Sequence, residues 1–583
     1  MILDRVNYPV DLKKLTNKEL VELCSEIREI LLKKLSITGG HHGPNLGIIE
    51  LTVGIHYVFD TPKDKLILDV SHQCYTHKIL TGRKEAYINE NKYNEVNGFF
   101  NPNESEYDLF TIGHTSTSLS LASGLIKARE LKKDSENVIV VIGDGSLSGG
   151  EAFEGLNVIS EMGKNAIIIV NDNEMSIAEN HGGYYRNLEH LRQTKGKTDN
   201  NLFKALGYDY FYVEEGNDVL KVIDVLKEVK DTNHPVVVHV HTLKGKGFMA
   251  AEQNKELFHA GGPIDLKNND YLYHDKNINY SEIVGQILIE KAKNDPTIVG
   301  ITSGTPSVIN MNKNRRDALK DQFVDVGIAE EHAVAMASGI AKAGGKPIYA
   351  VFSSFIQRTY DQLSQDLAIN NSPATILVFL ASIYGMNGNT HLGIFDISFM
   401  SNIPNLVYLA PAYEEEVRAM IDWSTTQTSH SVAIRMPVQV VSKGEVDKTD
   451  YNKLNKYELV EKGNDVAIIA LGNFFHLGKE TCQLLKEKGT KATLINPKFI
   501  TGLDTQLLEE LKKNHKLIIT LEDGIIDGGF GQKIASYYGD SSIEVKNYGF
   551  EKKFYNQFKV NDVLEECHLT SEQLVDDIQK MLK

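Results

Sequence analysis

Short, unbroken runs of β-branched residues recur along the chain between longer stretches of helical pattern, and this feature restricts the fold more than any other. Asn137-Val-Ile-Val-Val-Ile-Gly143, Asn165-Ala-Ile-Ile-Ile-Val-Asn171 and Pro235-Val-Val-Val-His-Val240 form one set. A strand that is apolar on both sides must be covered on both sides, as in a parallel sheet held between layers of helices. The alternation returns in Pro347-Ile-Tyr-Ala-Val-Phe352, Ala374-Thr-Ile-Leu-Val-Phe-Leu380 and Leu406-Val-Tyr-Leu-Ala410. It returns again in Asp465-Val-Ala-Ile-Ile-Ala470, Ala492-Thr-Leu-Ile-Asn496 and Lys516-Leu-Ile-Ile-Thr520. Two polar stretches, Asp265 to Asn279 and Ser442 to Leu459, break the rhythm and read as linkers. The expectation is an α/β protein of three doubly wound domains with mostly parallel sheets, at about 1–270, 280–440 and 455–583. A chain of 583 residues is in any case too long for one core.

Composition removes several function classes. Lys plus Arg number 62 against 78 Asp plus Glu, a net charge of -16, which is the wrong sign for a chain-wide surface that binds nucleic acid or anionic membrane. No apolar run approaches the ~20 residues that span a bilayer, and the start, Met1 to Val10, is broken by charge before a signal-like core develops. The four cysteines, Cys24, Cys74, Cys482 and Cys567, lie far apart without a CxxC pair, which fits a reduced, cytoplasmic protein. Neither nucleic acid nor membrane is expected as a partner.

The sharpest chemical signal is Gly143-Asp144-Gly145 at the end of one buried run, with Asn173, in Asn171-Asp-Asn-Glu-Met175, at the end of the next. In a doubly wound sheet the carboxyl ends of neighbouring strands line a crevice, so Asp144 and Asn173 are placed to converge. One carboxylate, one amide oxygen and a backbone carbonyl suit a hard divalent cation that takes its remaining oxygens from water and a phosphate ligand. Read alone, GDG is a strand-to-helix turn and NDN an Asx-rich loop; the pairing at successive strand ends favours the cation.

This pair resembles the thiamine-diphosphate motif. Further blocks, Gly40-His-His-Gly-Pro-Asn-Leu-Gly47, Asp69-Val-Ser-His-Gln-Cys-Tyr-Thr-His-Lys-Ile-Leu-Thr-Gly-Arg83, Gly113-His-Thr-Ser-Thr117, Gly327-Ile-Ala-Glu-Glu-His332 and Asn496-Pro-Lys-Phe-Ile500, are similar to the 1-deoxy-D-xylulose-5-phosphate synthase family, in order and over essentially the whole chain. The resemblance implies a transketolase-like fold: a diphosphate- and Mg²⁺-binding domain, a pyrimidine-binding domain and a transketolase-type carboxyl-terminal domain. It implies thiamine diphosphate and Mg²⁺ as cofactors, pyruvate and an aldehyde as substrates, and a homodimer. By position, Asp144, Asn173 and the Met175 carbonyl would hold the metal, and His77, Gly113, His114, Gly143 and Gly145 would line the cofactor. Glu330 would hydrogen-bond the aminopyrimidine, so that the cofactor acts as its own base, and Phe355 would pack on that ring. His41, His114 and His391 match active-site histidines, suited to moving protons near neutral pH.

The acceptor side departs from the family. Its Arg, Tyr and second Arg, which grip the phosphate of glyceraldehyde 3-phosphate, fall here at Leu380, Phe352 and Val438, and the Asp that precedes the catalytic histidine is Asn387. Two lost charge-assisted contacts are worth about 3–6 kcal/mol, or some 10²–10⁴ in acceptor discrimination. Arg358 and Arg435 remain nearby in sequence to supply charge from another angle. The leading reading is 1-deoxy-D-xylulose-5-phosphate synthesis; the alternatives are a paralogue that makes a different 1-deoxyketose, a transketolase with ketose phosphate donors, and a regulatory protein that binds the cofactor without catalysis.

Overall fold

The computed structural model describes the whole chain apart from residues 164, 274–277, 385–387 and 439–440. It divides into two compact units, one of Met1–Lys276 with Gly327–Ala329, the other of Asn277–Val326 with Glu330–Lys583.

The first unit is built on five parallel strands, β1 (Lys65–Leu68), β2 (Val138–Gly143), β3 (Ala166–Asp172), β4 (Asp209–Val213) and β5 (Val236–His241), in the order β1-β2-β3-β5-β4. Every residue of β3 is buried. The side chains alternate between two separate cores: Val138, Val140, Ile142 and Ile168 pack on one face, Ile139, Val141, Ile167 and Ile169 on the other. The period-two pleat thus carries an apolar row to each side. This explains why the runs show no polar alternation. A short antiparallel pair, β6 (Ile264–Asp265) and β7 (Asp270–Tyr271), follows, with the Tyr271 ring 5.1 Å from that of Phe258. Part of the stretch expected to be a plain linker is therefore a docked hairpin.

The second unit holds two sheets. Six parallel strands, β8 (Ile298–Thr302), β9 (Phe323–Asp325), β10 (Lys346–Phe352), β11 (Thr375–Phe379), β12 (Leu406–Leu409) and β13 (Ser431–Arg435), run in the order β12-β13-β11-β10-β8-β9. The other comprises β14 (Glu458–Glu461), β15 (Asp465–Ala470), β16 (Thr493–Asn496), β17 (His515–Ile525) and β18 (Glu544–Phe550), ordered β14-β16-β15-β17-β18. Only β14 runs antiparallel there. The expected mostly parallel α/β class holds. The polar stretch before β14 is tethered: buried Lys498 bonds Asp447 at 2.9 Å and Thr449 at 2.7 Å.

Four helices matter for the site: α1 (Ser118–Lys132), α2 (Gly150–Ile159), α3 (Gly183–Gln193) and α4 (Glu330–Lys342). On α4, Ala333, Val334, Ala337 and Ala341 are buried at helical spacing, while Glu330 and Glu331 occupy the first turn, where the helix dipole favours acids. No described helix is long and apolar enough to cross a membrane, and all four cysteines are free thiols.

Because Ile168 is 1% exposed within β3, Ile168→Ala is expected to cost about 2–5 kcal/mol of stability. Denaturant unfolding measures this, and a loss well under 1 kcal/mol contradicts a strand covered on both faces.

Candidate active site

The parallel pairing of β2 with β3 sets Gly143 opposite Asn171. The chain leaves the two strands side by side, and the Asp144 N–H still donates to the Asn171 carbonyl at 3.2 Å. Asp144 is 1% exposed. Its Oδ2 accepts from Asn180 Nδ2 at 2.7 Å, but its Oδ1 is buried without a partner. The backbone N–H of Asn173 faces the same carboxylate, and Asn173 Oδ1 is likewise buried and unpartnered. Burial, reinforced by the Asp172 charge, pushes the Asp144 carboxyl well above its usual range. A buried acceptor without a donor costs about 1–3 kcal/mol, more when charged, and a cation is a group that would satisfy both.

The donor set fits a hard cation. Met175 lies in the same turn, bridged to Glu179, and among the described residues no three His, Cys, Asp or Glu side chains gather into a metal cage. A cation held by Asp144, Asn173 and a carbonyl must complete its shell from water or a phosphate. A Cβ on Gly145 would lie 2.7 Å from Ser176 Cβ, and one on Gly149 would lie 2.1 Å from Ser116 Oγ, so only glycine lets these loops close on each other. Positive φ at Val70, Ser71, Ser116 and Glu174 (60°, 66°, 75° and 69°) marks strained backbone around the same turns.

Asp69, at the end of β1, accepts from the N–H groups of Ser116 (2.9 Å) and Ser118 (3.1 Å). Ser116 Oγ donates to the Ser146 carbonyl at 2.7 Å. The loop carrying Gly113 and His114 is thereby tied to the GDG turn. His41 opens a short helix, its ring 5.0 Å from His72, 5.6 Å from Phe99 and 5.9 Å from His259. Burial lowers the His41 pKa to about 4, and it holds His259 well below the ordinary range. Lys244, 2% exposed just past β5, donates to the Ser176 carbonyl at 2.5 Å. Burial brings it down to about 7 against the pull of Asp144.

His77 does not join this group. Its Nε2 pairs with Asp108 Oδ1 at 2.9 Å and its Nδ1 with His56 Nε2 at 3.0 Å, both in the interior, and Arg83 grips Asp108 at 2.7 and 2.8 Å. With both ring nitrogens engaged, it has none for a ligand, and His72 of the same motif stands beside His41 instead. His72, Lys244 and His259 went unread in the sequence. The first two follow strands, the signal that exposed Asp144; His259, in a glycine-rich turn, has no local signal.

In the second unit, Glu330 is 3% exposed and accepts from Arg358 Nη1 at 3.2 Å. Burial raises its pKa although Arg358 opposes the shift. The Phe355 ring lies 5.3 Å from Phe352 and 5.6 Å from His391, whose Nδ1 is 2.8 Å from Thr390 Oγ1. Asn387 lies outside the described residues. Arg435 is not placed to meet a ligand: it is 3% exposed, bonds Asp396 Oδ2 at 2.7 Å and pairs with the Asp523 carboxylate. Arg358 donates one N–H to Glu330. Leu380, Phe352 and Val438 are partly exposed.

Comparison with known proteins follows this geometry. Residues 3–199 and 192–242 match the family profile described as 1-deoxy-D-xylulose-5-phosphate synthase, 276–443 the transketolase pyrimidine-binding domain and 455–574 the transketolase carboxyl-terminal domain. That succession defines a thiamine-diphosphate-dependent transferase of transketolase type. The 1-deoxy-D-xylulose-5-phosphate synthase of Alkaliphilus oremlandii is 39% identical over 99% of this chain and 98% of its own. That of Carboxydothermus hydrogenoformans is 36% identical over 100% and 99%. A transketolase structure from Pichia stipitis is 16% identical over 97% of each chain, with a TM-score of 0.44. The chain belongs to the 1-deoxy-D-xylulose-5-phosphate synthase family.

A histidine held neutral by burial resists acid only until the unfolded chain takes the proton first. With a folded pKa near 4 and an unfolded one near 6.5, the stability tied to His41 is present above pH 6.5 and is lost as pH falls through 4. His41→Asn is expected to flatten the fall in melting temperature across that window; an unchanged pH profile contradicts a buried neutral His41.

Proposed function

We propose that the chain makes 1-deoxy-D-xylulose 5-phosphate from pyruvate and glyceraldehyde 3-phosphate, using thiamine diphosphate and Mg²⁺, as a cytoplasmic homodimer. The observation that carries this reading is the pair of buried, unpartnered oxygens, Asp144 Oδ1 and Asn173 Oδ1, at adjacent strand ends. Residues 1–270 are assigned to the diphosphate and Mg²⁺, 280–440 to the pyrimidine and 455–583 to the carboxyl-terminal domain.

When bound, thiamine diphosphate supplies the nucleophilic carbon and electron sink that decarboxylation and carbon–carbon bond formation require. Asp144, Asn173 and the Met175 carbonyl hold the cation, and Gly113, Gly143, Gly145 and His114 border it. Glu330, desolvated at the start of α4 so that its carboxyl lies above its ordinary range, would hydrogen-bond the pyrimidine, and Arg358 donates to that carboxyl. Phe355 offers the ring an apolar face. His41, neutral at pH 7, would offer an unprotonated imidazole for hydrogen bonding, and Lys244 puts an ammonium near its own midpoint into the same turn region. His391, beside Phe355, is assigned to proton transfer on the acceptor side.

A second reading is favoured by one observation: both arginines near the acceptor positions are engaged, Arg435 with Asp396 and Asp523 and Arg358 with Glu330. Leu380, Phe352 and Val438 offer no charge in their place. The enzyme would then take an unphosphorylated or differently phosphorylated aldehyde. Turnover of pyruvate with glyceraldehyde 3-phosphate and with glyceraldehyde separates the two. The first reading expects the phosphorylated triose to be preferred by at least about tenfold in kcat/KM, a difference of 1.4 kcal/mol; the reverse preference establishes the second. Under either, Glu330→Gln is expected to lower kcat by about 10²–10⁴ with cofactor still bound. Full activity in that variant removes Glu330 from the chemistry.

A further inference from the structure

The segment that follows the Asn173 turn folds back on the cation site and holds both of its ligand loops. Asn180 Nδ2 donates to Asp144 Oδ2 at 2.7 Å. Five residues on, Tyr185 OH donates to the Gly145 carbonyl at 3.3 Å. In the last turn of α3, Arg192 Nη1 donates to Asp172 Oδ2 at 2.5 Å, beside His239 Nε2 at 2.8 Å. Asp172 is fully buried and adjoins Asn173 in the chain. The same residues border a cavity of about 600 Å³ that reaches Asp144.

We propose that residues 180–192 brace the cation site, with Asn180 and Arg192 as positioning residues. The inference rests on the cofactor reading above and deepens it. A carboxylate turns about its Cβ–Cγ bond unless one oxygen is fixed. By occupying Oδ2, the Asn180 amide leaves Oδ1 as the single open oxygen and fixes where it points. Arg192 does the corresponding work for the other ligand: it neutralises the buried Asp172 carboxylate and anchors the turn from which Asn173 projects. Neither side chain needs to touch the ion. Groups that orient ligands in this way typically change metal affinity by about 10–100-fold when removed.

The cation itself provides a readout that a merely structural role would not move. Mg²⁺ demands near-ideal octahedral geometry, whereas Ca²⁺ tolerates irregular and longer contacts. Loosening Asp144 is therefore expected to weaken Mg²⁺ more than Ca²⁺. Calorimetric titration of each ion into the full-length protein with thiamine diphosphate measures this, next to the melting temperature of the cofactor-free protein. For Asn180→Ala, Mg²⁺ affinity is expected to fall about tenfold or more and Ca²⁺ affinity by less than about threefold, with the cofactor-free melting temperature close to that of the wild type. Arg192→Met leaves the buried Asp172 carboxylate with His239 alone and endangers the fold. Arg192→Lys therefore carries the second arm, keeping the charge, with an expected loss smaller than that of Asn180→Ala. Affinities unchanged in folded variants, or equal losses for both ions, overturn the brace while leaving the cofactor reading intact. A wild-type protein that binds neither ion with the cofactor overturns both.

Discussion

Two oxygen atoms taken out of water without a partner are the constraint on which the first unit is organised. Asp144 and Asn173 follow the ends of strands that pair in parallel, and the Asn173 N–H faces the Asp144 carboxylate, so the meeting of the two turns is a property of the sheet as much as of the loops. The arrangement is costly in the absence of an ion, and the surroundings are built to sustain it. Glycines at 145 and 149 let the turns close, Asp69 ties down the loop of His114, and Val70, Ser71, Ser116 and Glu174 hold strained backbone around the same turns.

Several buried charged groups elsewhere are paired with one another. His77, His56, Asp108 and Arg83 form an interior network. Arg435 is saturated by Asp396 and Asp523, which joins the second and third sheets within one unit. Lys498 is surrounded by Glu416, Asp447 and Glu458 at 3.4, 2.9 and 2.8 Å. These groups specify packing. In the cluster of His41, His72, His259 and Lys244, burial keeps His41 and His259 neutral and pulls Lys244 down.

Much of this was legible in the residues alone. The unbroken β-branched runs announced strands covered on both faces, and all three sheets answer to them. The GDG turn and Asn173 could be read because strand ends in such sheets carry ligands, and the same rule, applied to Leu68 and His241, would have reached His72 and Lys244. Other features were out of reach. His77 and His72 belong to one motif, and nothing in its spacing says which imidazole turns inward to Asp108. Arg435 follows a strand like a ligand, yet its partner Asp523 lies in a different sheet, a contact only tertiary structure reveals. His259 reaches His41 by a chain reversal without a periodic signature, and Asn180 looks like any loop asparagine until its amide is seen on Asp144.

The central claim concerns where a divalent cation binds. Anomalous diffraction from crystals grown with Mn²⁺ and thiamine diphosphate tests it most directly. The account predicts one strong peak in the first unit, within about 2.0–2.3 Å of both Asp144 Oδ1 and Asn173 Oδ1. A peak bound elsewhere, or one that meets neither oxygen, contradicts it.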